Sequence, residues 1–142
     1  MGDIKSIVEA IEGRMAVLGY TATNDVFDFE SVPDSIIDKA FRIETRILEN
    51  PYYSGNVANP KEEIAIWIAY KTKRNPRAVW KTALDEREAV EKDLVNAEAI
   101  SSLSCDPLLE MDQEASSQKL LEDYLISKLV FSVDYIRSIA PS

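Results

Sequence analysis

The segment from Glu62 to Lys73 constrains the fold more than any other part of the chain. Read with a period of two, both of its sides are apolar. One side carries Ile64, Ile66, Ile68 and Tyr70, and the other carries Ala65, Trp67 and Ala69. An apolar pattern on both faces is typical of a strand with covered neighbours on each side, so the segment predicts a central β-strand.

One helix is predicted before this strand in the sequence, and a second helix is predicted after it. In the first, Asp3 is a plausible N-cap, Gly19 a stop, and apolar residues recur at helical spacing between them; these are Ile4, Ile7, Val8, Ile11, Met15 and Leu18. The second opens with Asn75 as N-cap and Pro76 at the first helical position. One side of this second helix carries Val79, Trp80, Ala83, Leu84, Val90 and Leu94.

Three further strands are predicted around the central one. From Lys39 onward a period of two places Phe41, Ile43, Thr45 and Ile47 on one face, and Arg42, Glu44 and Arg46 on the other. A weak strand signal runs from Ala99 to Met111, where Pro107 favours an edge or a bulge, and a well-patterned last strand runs from Tyr124 to Ile136. Long loops are predicted at 50–60 and 112–119, and a structured connection at 21–38.

The 142 residues fit one domain. Its predicted fold class is α+β in the order α-β-β-α-β-β, with a long β-hairpin loop. Both helices are expected on one face of a mainly antiparallel four-stranded sheet. The other face would then stay exposed although it is partly apolar, and an uncovered apolar face usually marks an interface.

The chemistry-bearing residue types argue against an enzyme. The chain has no histidine, which removes the commonest general base and the commonest transition-metal ligand. Its four glycines form no phosphate-binding cluster, and its acidic groups match no calcium-loop spacing. We therefore expect no catalytic site, no cofactor and no metal, although carboxylates distant in sequence could still converge in the fold.

Charge and hydropathy argue against nucleic acids and membranes as binding partners. The 25 acidic and 16 basic residues give a net charge of −9, which opposes binding to DNA or RNA. The longest purely apolar stretch, Ile64 to Tyr70, is far shorter than the roughly 20 residues that cross a bilayer. The N-terminus shows no secretory pattern, which predicts synthesis and folding in a cytosol.

Candidate residues for a contact between subunits lie on the predicted hairpin. Tyr52 and Tyr53 have rigid amphipathic rings that suit an interface, although they could equally fold back onto the core. Trp67 points to the opposite face of the central strand from Ile66, and its side chain belongs either to the core or to a subunit interface. Arg42 and Arg46 occupy the polar face of the preceding strand.

The order of elements, together with the phrase from Val32 to Glu44, resembles the tail terminator proteins of long-tailed bacteriophages. The closing strand, Lys128 to Tyr135, is also similar to that family. The resemblance implies a structural virion protein of the tail and neck that assembles in the host cytoplasm. It would form a homo-hexameric ring that caps the tail tube protein, stops tail polymerisation and offers a surface to a head–tail connector, while DNA passes through the lumen without specific binding.

Two alternatives stay open. Another neck or head-closure connector protein would have a similar size and a similar ring. A non-catalytic α+β ligand-binding module belongs to a different class and would be a monomer or a dimer.

Overall fold

The computed structural model describes residues 3–50 and 52–139 of the chain. The helices are α1 (Asp3–Val17), α2 (Pro76–Asn96) and the single turn α3 (Glu98–Ser101). The strands are β1 (Thr21–Ala22), β2 (Ala40–Glu49), β3 (Tyr52–Ser54), β4 (Val57–Ala58), β5 (Lys61–Lys71), β6 (Leu108–Met111), β7 (Ser117–Leu120), β8 (Tyr124–Asp134) and β9 (Arg137–Ser138). The predicted α+β class is confirmed.

Local sequence signals set the ends of both long helices. After α1, Gly19 adopts a φ of 95°, a conformation that glycine reaches without strain. Its N–H donates to Ala16 O, and the N–H of Tyr20 donates to Met15 O, so both terminal carbonyls are satisfied. At the start of α2, the Asn75 side chain accepts a 3.2 Å hydrogen bond from Ala78 N. The predicted stop of α1 at Gly19 and the predicted N-cap of α2 at Asn75 are therefore confirmed.

The main sheet has six strands, and the expected number of four is wrong. The strand order is β1-β2-β5-β8-β6, with β7 also paired to β8. All pairings are antiparallel except the one between β1 and β2, which is parallel. The doubly apolar segment becomes β5 in the centre of the sheet, as its pattern predicts.

The extra strands arise at the two edges. On one edge, β6 and β7 lie along the same side of β8 and are separated by residues 112–116. At this break the Ser116 hydroxyl accepts a 2.9 Å hydrogen bond from Val130 N, which replaces a backbone partner. On the other edge, β1 pairs only with Ala40 and Phe41 of β2. Short strands of this kind carry no periodicity that a sequence pattern reveals.

The core on the helix side of the sheet is the larger of two. It joins α1 and α2 to the odd positions of β2 and β8 and the even positions of β5. Its fully buried side chains include Ile7, Ile11, Met15, Phe41, Ile64, Ile66, Leu94, Leu125, Leu129 and Phe131. Both long helices thus pack on one face, because their apolar stripes have the same partner.

The other face of the sheet is not left exposed in the region of Trp67. The segment 23–39 crosses it and buries Phe27 and Ile36 against the sheet. This second core contains Phe27, Ile36, Ala40, Ala65, Trp67, Ala69, Tyr124, Ile126 and Val130. An irregular segment therefore covers the face for which only an external partner was expected. Turn-forming residues and Pro33 hide its two deep anchors from a periodicity argument.

The long loop expected at 50–60 contains structure of its own. Its strands β3 and β4 form a small sheet with β9, in the order β3-β4-β9. The loop is thus tied to the end of the chain that follows β8.

Candidate subunit interface

Arg42 and Trp67 are cross-strand neighbours on the face covered by segment 23–39. The Arg42 guanidinium carbon lies 4.9 Å from the centre of the Trp67 ring, and Lys128 Nζ lies 4.8 Å from it. The ring of Phe29 meets Trp67 edge to face at 5.0 Å. Trp67 is 7% exposed, so within one subunit its ring contacts cations and an aromatic ring instead of solvent.

Arg42 also holds the covering segment in place. Its Nε and Nη2 donate hydrogen bonds of 2.8 Å and 2.5 Å to Phe27 O, and its Nη1 pairs with Glu44. Farther along, the Tyr124 hydroxyl donates a 2.8 Å hydrogen bond to Ile36 O. Two side chains of the sheet thus satisfy carbonyl groups in a segment that lacks helix and strand. Arg42 serves the fold of one subunit, whatever else it contacts.

Arg46 lies farther along the same face of β2 and remains accessible. Its side chain is 69% exposed, and its Nη2 lies 3.1 Å from Glu63 Oε2. The covering segment 23–39 does not pack on this part of the sheet. Of the three candidate residues on strands with described side chains, Arg46 is the one free to meet another chain.

Tyr52 and Tyr53 are placed on β3. Their side chains lie outside the described part of the structure, so the two aromatic candidates of the hairpin stay predictions.

The outer edge of β2 is half covered. The covered half ends where Thr23 N donates to Phe41 O. Backbone groups of a strand alternate in direction, so Ile43, Thr45 and Ile47 direct their N–H and C=O groups to the same outer side. Among the described residues no strand pairs with this half of β2. Ile47 is 58% exposed there and Leu48 is 40% exposed. An open edge with apolar side chains is a template for pairing with another chain.

Trp80 is an interface candidate that sequence reasoning missed. It belongs to the apolar side of the second helix, which the sequence predicts to face the core, yet it is 44% exposed. The buried line of α2 runs through Ala83 and Val90, and Trp80 sits about 60° around the helix from Ala83. It borders an open cavity of about 390 Å³ with Leu120, which is 52% exposed. Leu84 lies still farther from Ala83, at about 100°, and is half-buried, so the helical angle alone does not reveal the exposure of Trp80.

Among the described residues, the buried tyrosine hydroxyls form structural pairs, whereas three buried polar atoms have no hydrogen-bond partner, namely Asn50 Oδ1, Trp67 Nε1 and Arg137 Nε. The Tyr20 hydroxyl donates to Glu86 Oε2 at 2.8 Å and lies 3.2 Å from the Tyr70 hydroxyl, which then acts as donor to Tyr20. Burial raises the pKa of both phenols above 10, and Glu86 adds to the rise. Lys39 Nζ completes the group at 3.3 Å from Glu86. This group holds α2 to the sheet, and the raised pKa values keep both phenols protonated at neutral pH.

Within residues 3–50 and 52–139, no group of three or more Cys, Asp and Glu side chains is placed to hold a metal ion. Cys105 is a buried thiol whose pKa is raised, first by burial and then by the charge of Asp3. No helix in these residues is long and apolar enough to cross a membrane.

Among the described residues, the free half of β2 and the exposed pair Trp80 and Leu120 are therefore two surfaces that can contact another chain. Comparison with known proteins assigns neither of them: no protein-family model matches the chain, and no curated protein matches it significantly.

Proposed function

We propose that this protein is a structural subunit that assembles into a ring, and that the ring is a phage tail terminator. The ring caps the finished tail tube, stops its polymerisation and provides the surface for joining the head. The proposal combines the resemblance carried by residues 32–44 and 128–135 with one structural observation, the half-open edge of β2.

That edge supports a ring because closed rings are built from heterologous contacts. Each subunit then needs two different adhesive surfaces. The free half of β2 is one such surface, and the opposite edge of the sheet, made by β6 and β7, is available as the other. A twofold dimer would instead require one self-complementary patch.

The charge is compatible with this role. The chain carries a net charge of −9, and a ring of six subunits would carry six times that charge. An acidic lumen repels the phosphate backbone, so DNA would pass without being held.

A tube-capping experiment tests the proposal. The purified protein is examined alone by multi-angle light scattering and electron microscopy, and again after mixing with tail tubes from the same phage. We expect a discrete ring, density at one end of the tubes, and tubes that no longer elongate when tube protein is added. Monomers alone with bare tube ends would refute the proposal.

The same experiment separates the alternatives. A ring that leaves tube ends bare and binds isolated connectors would favour another neck protein. A stable monomer that changes its melting temperature with a small ligand would favour a binding module.

A further inference from the structure

The unpaired parts of the two edge strands, β2 and β6, lie on the same rows of cross-strand neighbours in the main sheet. Following the register across the sheet, Arg46 lies beside Glu63, Glu63 beside Ser132, and Ser132 beside Glu110. The next row runs from Ile47 through β5 and β8 to Leu109. The free half of β2 and the strand β6 therefore end the same rows on opposite sides of the subunit.

Strand direction allows these edges to meet in neighbouring copies. The strands β2, β5, β8 and β6 alternate in direction, so the first and the last of the four are antiparallel. When a second copy is placed beside the first in the same orientation, its β2 runs antiparallel to β6 of the first. Rotation around a ring axis provides this arrangement without inverting a subunit.

The hydrogen-bonding phase also agrees. Phe41 O points outward from β2, which places the groups of Thr45 and Ile47 on the outer side. On the other edge, Asp112 N donates inward to Val130 O at 2.7 Å, so Leu109 and Met111 direct their groups outward. When Ile47 of one copy is opposite Leu109 of the next, the outward N–H and C=O groups of β2 therefore face the outward N–H and C=O groups of β6.

Side-chain chemistry selects this register. It places Arg46 of one copy opposite Glu110 of the next, both exposed and both on the same face of the sheet. On the other face it places Ile47 beside Leu109. A shift by two residues in one direction would set Glu44 against Glu110, which is unfavourable because the charges are alike. The opposite shift would set Leu48 against Glu110 and move Arg46 past the end of β6, to the level of Asp112.

We infer that adjacent subunits join by pairing the free half of β2 (Ile43–Glu49) with β6 (Leu108–Met111) of a second copy, with Arg46 opposite Glu110. This inference rests on the proposed ring and names its contact. The occupant of the open edge is another copy of this chain, since its own opposite edge matches in direction, phase and charge.

Charge reversal tests the contact. The variants Arg46→Glu and Glu110→Arg are each compared with the double variant, by light scattering of free protein and by counting capped tubes. Each single change should weaken assembly by about tenfold, because like charges then face each other at every contact. The double change should restore assembly in part, because it returns opposite charges to the contact but still lacks the ion pair of Arg46 with Glu63 in the same subunit. Lys81→Glu is the matched control, since it changes the net charge as Arg46→Glu does on an exposed face of α2.

A backbone variant provides a second test. Proline at Thr45 removes an N–H that points away from β5, so the ladder inside the subunit is kept. Thr45→Pro should retain the circular dichroism of the wild type but lose ring formation. Rings at wild-type stability, or a double charge variant that stays dissociated, would overturn the contact.

The two proposals fail in different ways. Wild-type protein that neither forms rings nor binds tube ends refutes the proposed function, and the contact with it. Wild-type rings that ignore all of these variants refute only the contact.

Discussion

The hydroxyl of Tyr135 donates a 2.6 Å hydrogen bond to a carboxylate oxygen of Glu62, and both side chains are buried on the helix side of the sheet. Tyr135→Phe removes the donor from a buried acidic group. We expect the free energy of unfolding to fall by about 1–3 kcal/mol in urea denaturation. Adding Glu62→Met to that variant should recover part of the loss, since both partners are then apolar. Equal stability of Tyr135→Phe and wild type would contradict the role of this bond.

Alkaline pH should destabilise the protein through its buried phenols. Burial raises the pKa of Tyr20, Tyr70 and Tyr135 above the ordinary value of 10.0. The folded chain therefore keeps phenolic protons that the unfolded chain releases, and the stability they contribute is complete below pH 10 and is lost as the pH rises through their folded pKa values. Urea unfolding on both sides of about pH 10 measures this loss. The variant Tyr70→Phe should show a shallower decline; an identical decline would contradict the assignment.

Arg42 should stabilise the segment that covers Trp67. Arg42→Ala removes both donors from Phe27 O, and we expect about 1–3 kcal/mol less stability. Amide hydrogen exchange should also accelerate within residues 23–39. Lys81→Ala is the control, since it removes a cation from an exposed face of α2, and its effect should stay within about 0.5 kcal/mol. Unchanged exchange in Arg42→Ala would show that other contacts hold the segment.

The two tryptophans should differ in fluorescence. Trp67 is 7% exposed and Trp80 is 44% exposed. The variant Trp80→Phe reports Trp67 alone, and its emission should lie at shorter wavelength and resist quenching by acrylamide. Trp67→Phe reports Trp80 alone and should show the reverse. If the order of quenching is inverted, the covering of Trp67 by segment 23–39 is wrong.

Local signals made much of the fold predictable. Gly19 and the pair Asn75-Pro76 determine helix ends through backbone geometry that depends on a few neighbouring residues. The period of two in β2, β5 and β8 likewise depends only on the strand itself. These features could be inferred without any knowledge of distant contacts.

Features that depend on distant contacts were not predictable. The deep burial of Phe27 and Ile36 needs the sheet face against which they pack, and β1 exists only because β2 lies beside it. For the candidate interface, the sequence does not decide whether Trp67 belongs to the core or to a contact, because no sequence pattern shows that segment 23–39 covers its ring. Arg46 and Glu110 lie 64 positions apart in the sequence, and only the register of four strands places them on one row.

The gap between β6 and β7 limits how the protein can aggregate. Residues 112–116 interrupt that edge of the sheet, so a neighbouring chain finds only the four residues of β6 or the four of β7 to pair with. Uninterrupted edges favour endless growth of stacked strands, whereas a ladder this short gives a weak bond that separates readily. Chains that pair in a wrong register therefore dissociate and can associate again. A contact of this kind becomes long-lived only when both edges of every chain are paired.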